Sequence, residues 1–466
     1  MKFMMRSTSL GRRVAAGLTL GLAALAAART AGAAEKRPNI VVLITDDMGY
    51  ADLGIHGNRD FPTPRIDALA ASGVRFTDGY VSGLYCSPTR AGFLTGRYQQ
   101  RFGHEWNPGG SPKQGLPTSE KTIADRLKAA GYATGLVGKW HLGGTPELHP
   151  QSRGFDEFFG FLGGAHTYFA EATENVYRGT EVVREKAYLT DAFAREAADF
   201  IDRHKEGAPF FLEVAFNAVH TPMDATDERL ARFTAIADPQ RRKYAAMLTA
   251  LDEAVGTIVD KIEAAGLAED TLIVYFNDNG GPTMPGTTQN GSSNAPFRGS
   301  KRTSLEGGVR VPFALSWKGK LPAGAVYRKP VIQLDVLPTA LAAAGVEVAP
   351  EGKLDGVDLL PFLTGANAGT PHEELFWRMG AQAAVRKGDW KLVRYDAAVD
   401  APGARSNAAK VEVTPFRLYN LAEDPGESRD LAAERPEKVA ELLAAWKGWD
   451  AQLVEPLWGP GGPARD

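Results

Sequence analysis

Short apolar runs alternate along the chain with amphipathic stretches. Ile40–Ile44, Tyr132–Val137, Pro209–Phe216 and Thr271–Phe276 are mainly apolar runs of strand length. Such runs predict strands covered on both sides. Between them, Ser119–Ala130 ends at Gly131, and Arg241–Ala265 ends at Gly266. Tyr188–His204 places Phe193, Ala197, Phe200 and Ile201 on one side. Helical spacing with a glycine stop predicts helices. The alternation predicts an α/β fold, a large, mostly parallel central sheet flanked by helices.

The pattern changes after about Thr370. Glu374–Met379, Ala383–Arg386 and Trp390–Tyr395 predict short strands joined by turns such as Lys387-Gly388-Asp389, and Pro436–Trp449 predicts a helix. This part reads as a smaller antiparallel sheet domain with a helix. The tail from Gly459 is rich in Gly and Pro and predicts a loose end. No internal repeat is evident. The expected boundaries are an export signal over 1–33, a catalytic domain over 34–370 and an α+β subdomain over 371–466.

Composition narrows the function classes. A chain of 466 residues suits two domains. Hydrophobic residues at 44% and charged residues at 23% describe a core-forming chain, not a disordered or fibrous one. Lys plus Arg is 53 against 56 for Asp plus Glu, so no basic excess points to nucleic acid. The N-terminus carries Lys2, Arg6, Arg12 and Arg13, then an apolar run Val14–Ala28, then Thr30-Ala31-Gly32-Ala33. That order predicts an export signal cut after Ala33, by the general or the twin-arginine route. The run is too short for a membrane anchor. The expected location is therefore the periplasm or outside, with no anchor after cleavage. One cysteine, Cys86, excludes an intramolecular disulfide. In an oxidising compartment a lone thiol is buried and inert or chemically special.

Ligands of open α/β sheets bind beyond the carboxyl ends of the strands. Ile40–Ile44 is followed by Asp46-Asp47, and Thr271–Phe276 by Asn277-Asp278-Asn279. Converging carboxylates repel unless a cation neutralises them. Oxygen ligands of this kind suit Ca²⁺ or Mg²⁺. Alone, Asp46-Asp47 also fits a solvated turn; two such strand ends favour the metal. Tyr132–Val137 is followed by Gly138-Lys139-Trp140-His141-Leu142-Gly143. On an extended backbone, Lys139 and His141 face the same side. His220 follows Pro209–Phe216, and Lys301 precedes Glu306-Gly307-Gly308-Val309-Arg310.

The stretch Cys86-Ser87-Pro88-Thr89-Arg90, continued by Thr95-Gly96, resembles the sulfatase signature C-x-P-S/T-R with its T-G continuation. The D-D, G-K-W-H-L-G, H-x-P, D-N-G and K before E-G-G-V-R blocks stand in that family's order. The resemblance runs from about Pro38 into the C-terminal part and is greatest to the arylsulfatase and N-acetylgalactosamine-sulfatase type, including Gly154-Phe155-Asp156-Glu157-Phe158-Phe159-Gly160. It implies an alkaline-phosphatase-like fold and hydrolysis of sulfate esters, on a sulfated carbohydrate or an aryl sulfate. It implies that a maturation enzyme converts Cys86 to formylglycine, an aldehyde whose hydrate attacks sulfur and later expels sulfate.

By the same resemblance, Asp46, Asp47, Asp278, Asn279 and the modified Cys86 hold one divalent cation, usually Ca²⁺, with Mg²⁺ also accepted by such ligands. Arg90 and Lys139 stabilise the hydrate. His141 assists collapse of the adduct. Lys301 and His220 contact the sulfate, and His220 protonates the leaving oxygen. Candidates for the substrate pocket are His104, Glu105, Trp106, His166, Tyr168, Trp377 and Arg378. Two alternatives share these motifs: a phosphonate monoester or phosphodiester hydrolase of the same superfamily, and a non-catalytic sulfated-glycan binder with Cys86 unmodified.

Overall fold

The computed structural model describes residues 1, 36–169, 176–348, 353–401, 403–405 and 411–460. Residues 2–33 of the expected export signal and 461–466 of the tail lie outside the described residues. The residues from Pro38 onward form one compact unit.

The four apolar runs form β1 (Asn39–Thr45), β4 (Ala133–Lys139), β8 (Phe210–Ala215) and β9 (Thr271–Asn277), and the chain adds β2 (Val74–Phe76), β3 (Gly79–Tyr80), β5 (Glu157–Phe161), β6 (Val176–Arg178), β7 (Glu181–Val183), β10 (Phe313–Ser316), β11 (Ala325–Tyr327) and β12 (Val331–Ile332). Ten of them make one sheet in the order β11-β2-β10-β9-β1-β8-β4-β5-β6-β7, and β12 pairs with β3. The centre, β9-β1-β8-β4-β5, is parallel, and antiparallel pairs flank it. The expected mostly parallel sheet is therefore present.

Both faces are covered, as continuous apolar strands require. Val41 and Leu43 face the packed helices Leu189–His204 and Pro239–Ala264. Ile40, Val42 and Ile44 face the helices Cys86–Thr95, Ile123–Ala129 and Val336–Ala343. Pro239 opens its helix behind the cap Asp238, whose side chain accepts from the Arg241 amide at 2.6 Å. The helix expected from Ser119 starts at Ile123 instead. Thr122 and Asp125 form a reciprocal capping box there, while Glu120 is held in a turn by the Pro117 carbonyl.

The second sheet joins β13 (Glu374–Met379), β14 (Gln382–Lys387), β15 (Trp390–Arg394) and β16 (Arg417–Asn420), all antiparallel. Helix Pro436–Asp450 packs on it. The sheet shares an apolar core with Tyr80, Leu84, Leu305 and Leu334 of the main body. A buried ion network reinforces that contact. Lys391 on β15 reaches Glu306 at 2.8 Å and Glu427 at 3.1 Å, and all three side chains are fully buried. Glu306 lies five positions after Lys301, so the second sheet braces the loop that carries a candidate site lysine.

Candidate active site

The register of the parallel strands sets the site. Ile44 pairs with Ala215, Thr45 with Asn277 and Gly138 with Ala215. Asp46, Asp278 and Lys139 therefore leave the sheet along one edge. The helix Cys86–Thr95 begins at that edge, and Gly96 in the left-handed region (φ +65°) closes it.

Around Cys86 the sequence candidates come together. The Cys86 thiol donates to Asp46 Oδ1 at 3.5 Å. Lys139 Nζ donates to Asp46 Oδ2 at 2.5 Å, and Arg90 Nη2 stands 3.7 Å from the same oxygen. Arg90 also donates to Asp278 Oδ2 from Nε (3.2 Å) and Nη2 (2.9 Å). Lys301 Nζ lies 2.7 Å from Asp47 Oδ1 and 2.9 Å from Oδ2. Asn279 Nδ2 donates to Asp47 Oδ1 at 2.7 Å. His220 Nε2 is 3.5 Å from Asp47 Oδ2. Its Nδ1 donates to the Thr221 carbonyl, which fixes the tautomer and leaves Nε2 facing the site.

His141 departs from the simple picture. Strand β4 ends at Lys139, and His141 takes a left-handed conformation (φ +61°). The two-residue alternation therefore stops. Lys139 turns inward to Asp46, whereas the His141 ring packs over Gly164, at the wall of a cavity of about 230 Å³. Ser87 anchors this turn by donating to the His141 carbonyl at 2.7 Å.

The electrostatics follow from burial. Burial alone would raise Asp46, but the surrounding cations, Lys139 foremost, together outweigh it and hold the carboxyl below the usual range. Burial, and then the charge of Asp46, push Asp278 up to about 7. The Cys86 thiol is raised by burial, then by Asp278 and Asp46. It is therefore a neutral thiol, and a plain cysteine here is a poor nucleophile. Burial lowers His220 and, with Lys139 and Arg90 adding to it, lowers His141 far more.

The donor set fits a hard divalent cation. Asp46, Asp47, Asp278 and Asn279 are fully buried and offer oxygen. Asp278 Oδ1 and Asn279 Oδ1 are buried without any hydrogen-bond partner. Bare acceptors of this kind are costly unless something occupies them. Ligand atoms of Asp46, Asp47, Cys86 and His220 lie within 4.8 Å of one another. Three carboxylates face three side-chain cations, Arg90, Lys139 and Lys301. A divalent ion would leave the pocket positive, which suits an anionic substrate.

Several contributors escape sequence reading. Thr288 Oγ1 donates to Asp47 Oδ2 at 2.9 Å, and Asn290 Nδ2 donates to the Asp47 carbonyl at 2.9 Å. Both sit in a loop without periodicity, where no spacing signals them. His104, a pocket candidate, meets Ser87 Oγ through Nε2 at 2.6 Å. Of the pocket candidates, Glu105 is bound to Arg378 at 2.8 Å. Trp377 is fully buried and donates to the Val81 carbonyl. Tyr168 is also fully buried; its hydroxyl holds the Asn217 and His220 carbonyls at 2.7 and 2.9 Å. These four are structural, and Tyr168 steadies the His220 loop.

The chain is similar to known proteins in sequence and fold. The sulfatase family model matches residues 38–346. N-acetylgalactosamine-6-sulfatase of Canis lupus familiaris is 35% identical over 402 residues, 81% of this chain and 75% of that protein. Arylsulfatase A of Homo sapiens is 35% identical over 463 residues, 90% of this chain and 88% of that protein. A crystal structure of Ps i-CgsB in complex with k-i-k-neocarrahexaose aligns with a TM-score of 0.82 and 34% identity, covering 91% of this chain and 95% of that one. The fold is the alkaline-phosphatase-like one of these enzymes. The chain belongs to the sulfatase family and is a sulfuric ester hydrolase.

Proposed function

We propose that this enzyme removes sulfate from a sulfated carbohydrate, using Cys86 matured to formylglycine and one divalent cation, Ca²⁺ or Mg²⁺. One observation carries the reading: Cys86, too buried to act as a thiolate, opens a helix among three carboxylates and three cations, beside two bare oxygen acceptors. The relatives support the substrate class. One is named for an N-acetylgalactosamine sulfate, and a similar structure holds an oligosaccharide.

When matured and loaded, the site supplies a hydroxyl nucleophile at position 86 and added positive charge for the sulfuryl oxygens. Asp46, Asp47, Asp278 and Asn279 would hold the cation, together with the modified residue 86. The chain supplies the rest. Asp278, with its bare Oδ1, accepts the proton of the attacking hydroxyl. Arg90 fixes Asp278 from the other oxygen. Lys139 and Lys301 aim positive charge at the sulfate, where preorganised charge contributes most. His220, its Nδ1 proton held on the Thr221 carbonyl, would take up a second proton at Nε2 beside Asp47 in the loaded site and pass that proton to the leaving oxygen. His141, neutral and partnerless at Nδ1, accepts the proton that accompanies sulfate release.

The same reading has the chain exported through residues 1–33 and divided into domains at 370/371. Among the described residues no helix is long and apolar enough to cross a membrane.

The test compares 4-nitrophenyl sulfate, 4-nitrophenyl phosphate, bis(4-nitrophenyl) phosphate and 4-nitrophenyl phenylphosphonate on matured enzyme. The expected result is the highest kcat/KM on the sulfate. Preference for the phosphonate or diester would assign the related hydrolase activity. No turnover of any ester, with tight binding of sulfated glycans, would make the protein a binder.

A further inference from the structure

Arg302 follows Lys301 and has a different setting. Its backbone lies in the left-handed region (φ +79°), where a residue with a Cβ is strained. The conformation is imposed from two sides. The Arg302 amide donates to the Leu84 carbonyl at 2.9 Å, and Gln382 of β14 donates to the Arg302 carbonyl at 2.7 Å. A glycine would take this position without strain. Strain of this kind clusters at functional sites.

The side chain is also anomalous. Arg302 is 7% exposed. Among the described residues, no carboxylate lies within ion-pair distance of it. Nη1 donates to the Gly286 carbonyl at 3.0 Å, and Nε has no hydrogen-bond partner. The guanidinium lies 5.9 Å from the ring centre of Tyr85, the residue that caps the Cys86 helix. Other buried arginines nearby are paired: Arg90 with Asp278, Arg310 with Glu306 and Asp78, Arg386 with Asp78. A buried, uncompensated cation is unfavourable unless an anion arrives. Lys301 already serves Asp47 and the site of the reacting sulfate. Arg302, the next residue, places a second positive charge over the face of Tyr85, the neighbour of Cys86.

We propose that Arg302 binds a second anionic group of the substrate, a sulfate or carboxylate beside the sulfate being removed. The inference rests on the sulfatase reading and specifies it: the preferred glycan carries at least two neighbouring anions. The planar guanidinium suits such groups, which accept two parallel N–H bonds.

The experiment uses matured full-length enzyme with 4-nitrocatechol sulfate as reporter. Competitive inhibition constants are measured for three disaccharides: a monosulfated galactosyl-N-acetylgalactosamine, its disulfated counterpart, and a monosulfated chondroitin disaccharide bearing a uronate. The wild type is expected to bind at least one doubly charged ligand at least about tenfold more tightly than the singly charged one. In Arg302→Gly that advantage should fall to about twofold or less, and Arg302→Lys should keep part of it. Arg302→Gly should also melt no lower than wild type, since glycine relieves the strain. A gain carried by either anion supports the proposal and identifies its source. No advantage in the wild type, or one that survives in Arg302→Gly, overturns it. Failure of the reporter reaction itself would count against the sulfatase reading instead.

Discussion

Arg90 takes one oxygen of Asp278 and leaves the other bare. Nε and Nη2 both donate to Oδ2, and the buried Oδ1 has no partner. Asn279 repeats the pattern, since its Nδ2 donates to Asp47 while its Oδ1 is unpartnered. Two consecutive residues after β9 thus each present a buried, unused oxygen.

Metal removal tests this directly. Exhaustive chelation should abolish hydrolysis of 4-nitrophenyl sulfate and lower Tm, and Ca²⁺ or Mg²⁺ should restore both. At free ion about 100-fold above its Kd, the recovered stability should be about 2.7 kcal/mol. Unchanged melting and activity after chelation would remove the cation from the account.

Lys139 and Asp46 form a fully buried pair. Lys139→Ala leaves Asp46 short of its nearest cation. Breaking such a pair costs about 3–5 kcal/mol of stability. Loss of the positive charge should also cost about 2.7–4 kcal/mol in kcat/KM, by comparison with one oxyanion donor. Thermal melts and steady-state kinetics on the same preparation measure both. A variant with wild-type kcat/KM would exclude Lys139 from the chemistry.

Glu213 offers a pH test away from the metal ligands. It sits in the middle of β8, between Val42 and Leu136, and its Oε2 has no partner. Burial raises it from 4.5 to about 8, and Arg90 offsets only part of this. The folded state therefore keeps the proton that the unfolded chain gives up. This group's stabilising contribution is full below pH 4.5 and is lost as the pH rises to about 8. Glu213→Gln should gain on the wild type across that window, by up to about 1.4 kcal/mol per pH unit. Melts at pH 5 and pH 8.5 check this; a constant difference between the two proteins would contradict it.

Asp46, Asp47, Asp278 and Asn279 are legible in the sequence because each follows a continuous apolar run, and strand ends gather ligands. The helix Cys86–Thr95 has no such signal. Every one of its residues is buried, so it shows no polar face to set its period. Strand β5 (Glu157–Phe161) is hidden differently: it is short, follows Gly154 and Asp156, and carries Gly160 within it, so no long apolar run marks it. Thr288 and Asn290 depend on the folded path of one loop over Asp47. His141 is legible as a candidate, but its left-handed backbone is set by contacts with Leu162 and Ser87 that no local pattern encodes.

The central claim is that residue 86 acts as an aldehyde hydrate and not as a thiol. The direct measurement is the mass of the tryptic peptide Phe76–Arg90 from active protein made in its own host. The account predicts a peptide carrying formylglycine in place of Cys86, with turnover of 4-nitrophenyl sulfate in proportion to its fraction. An unmodified thiol in fully active enzyme would contradict it.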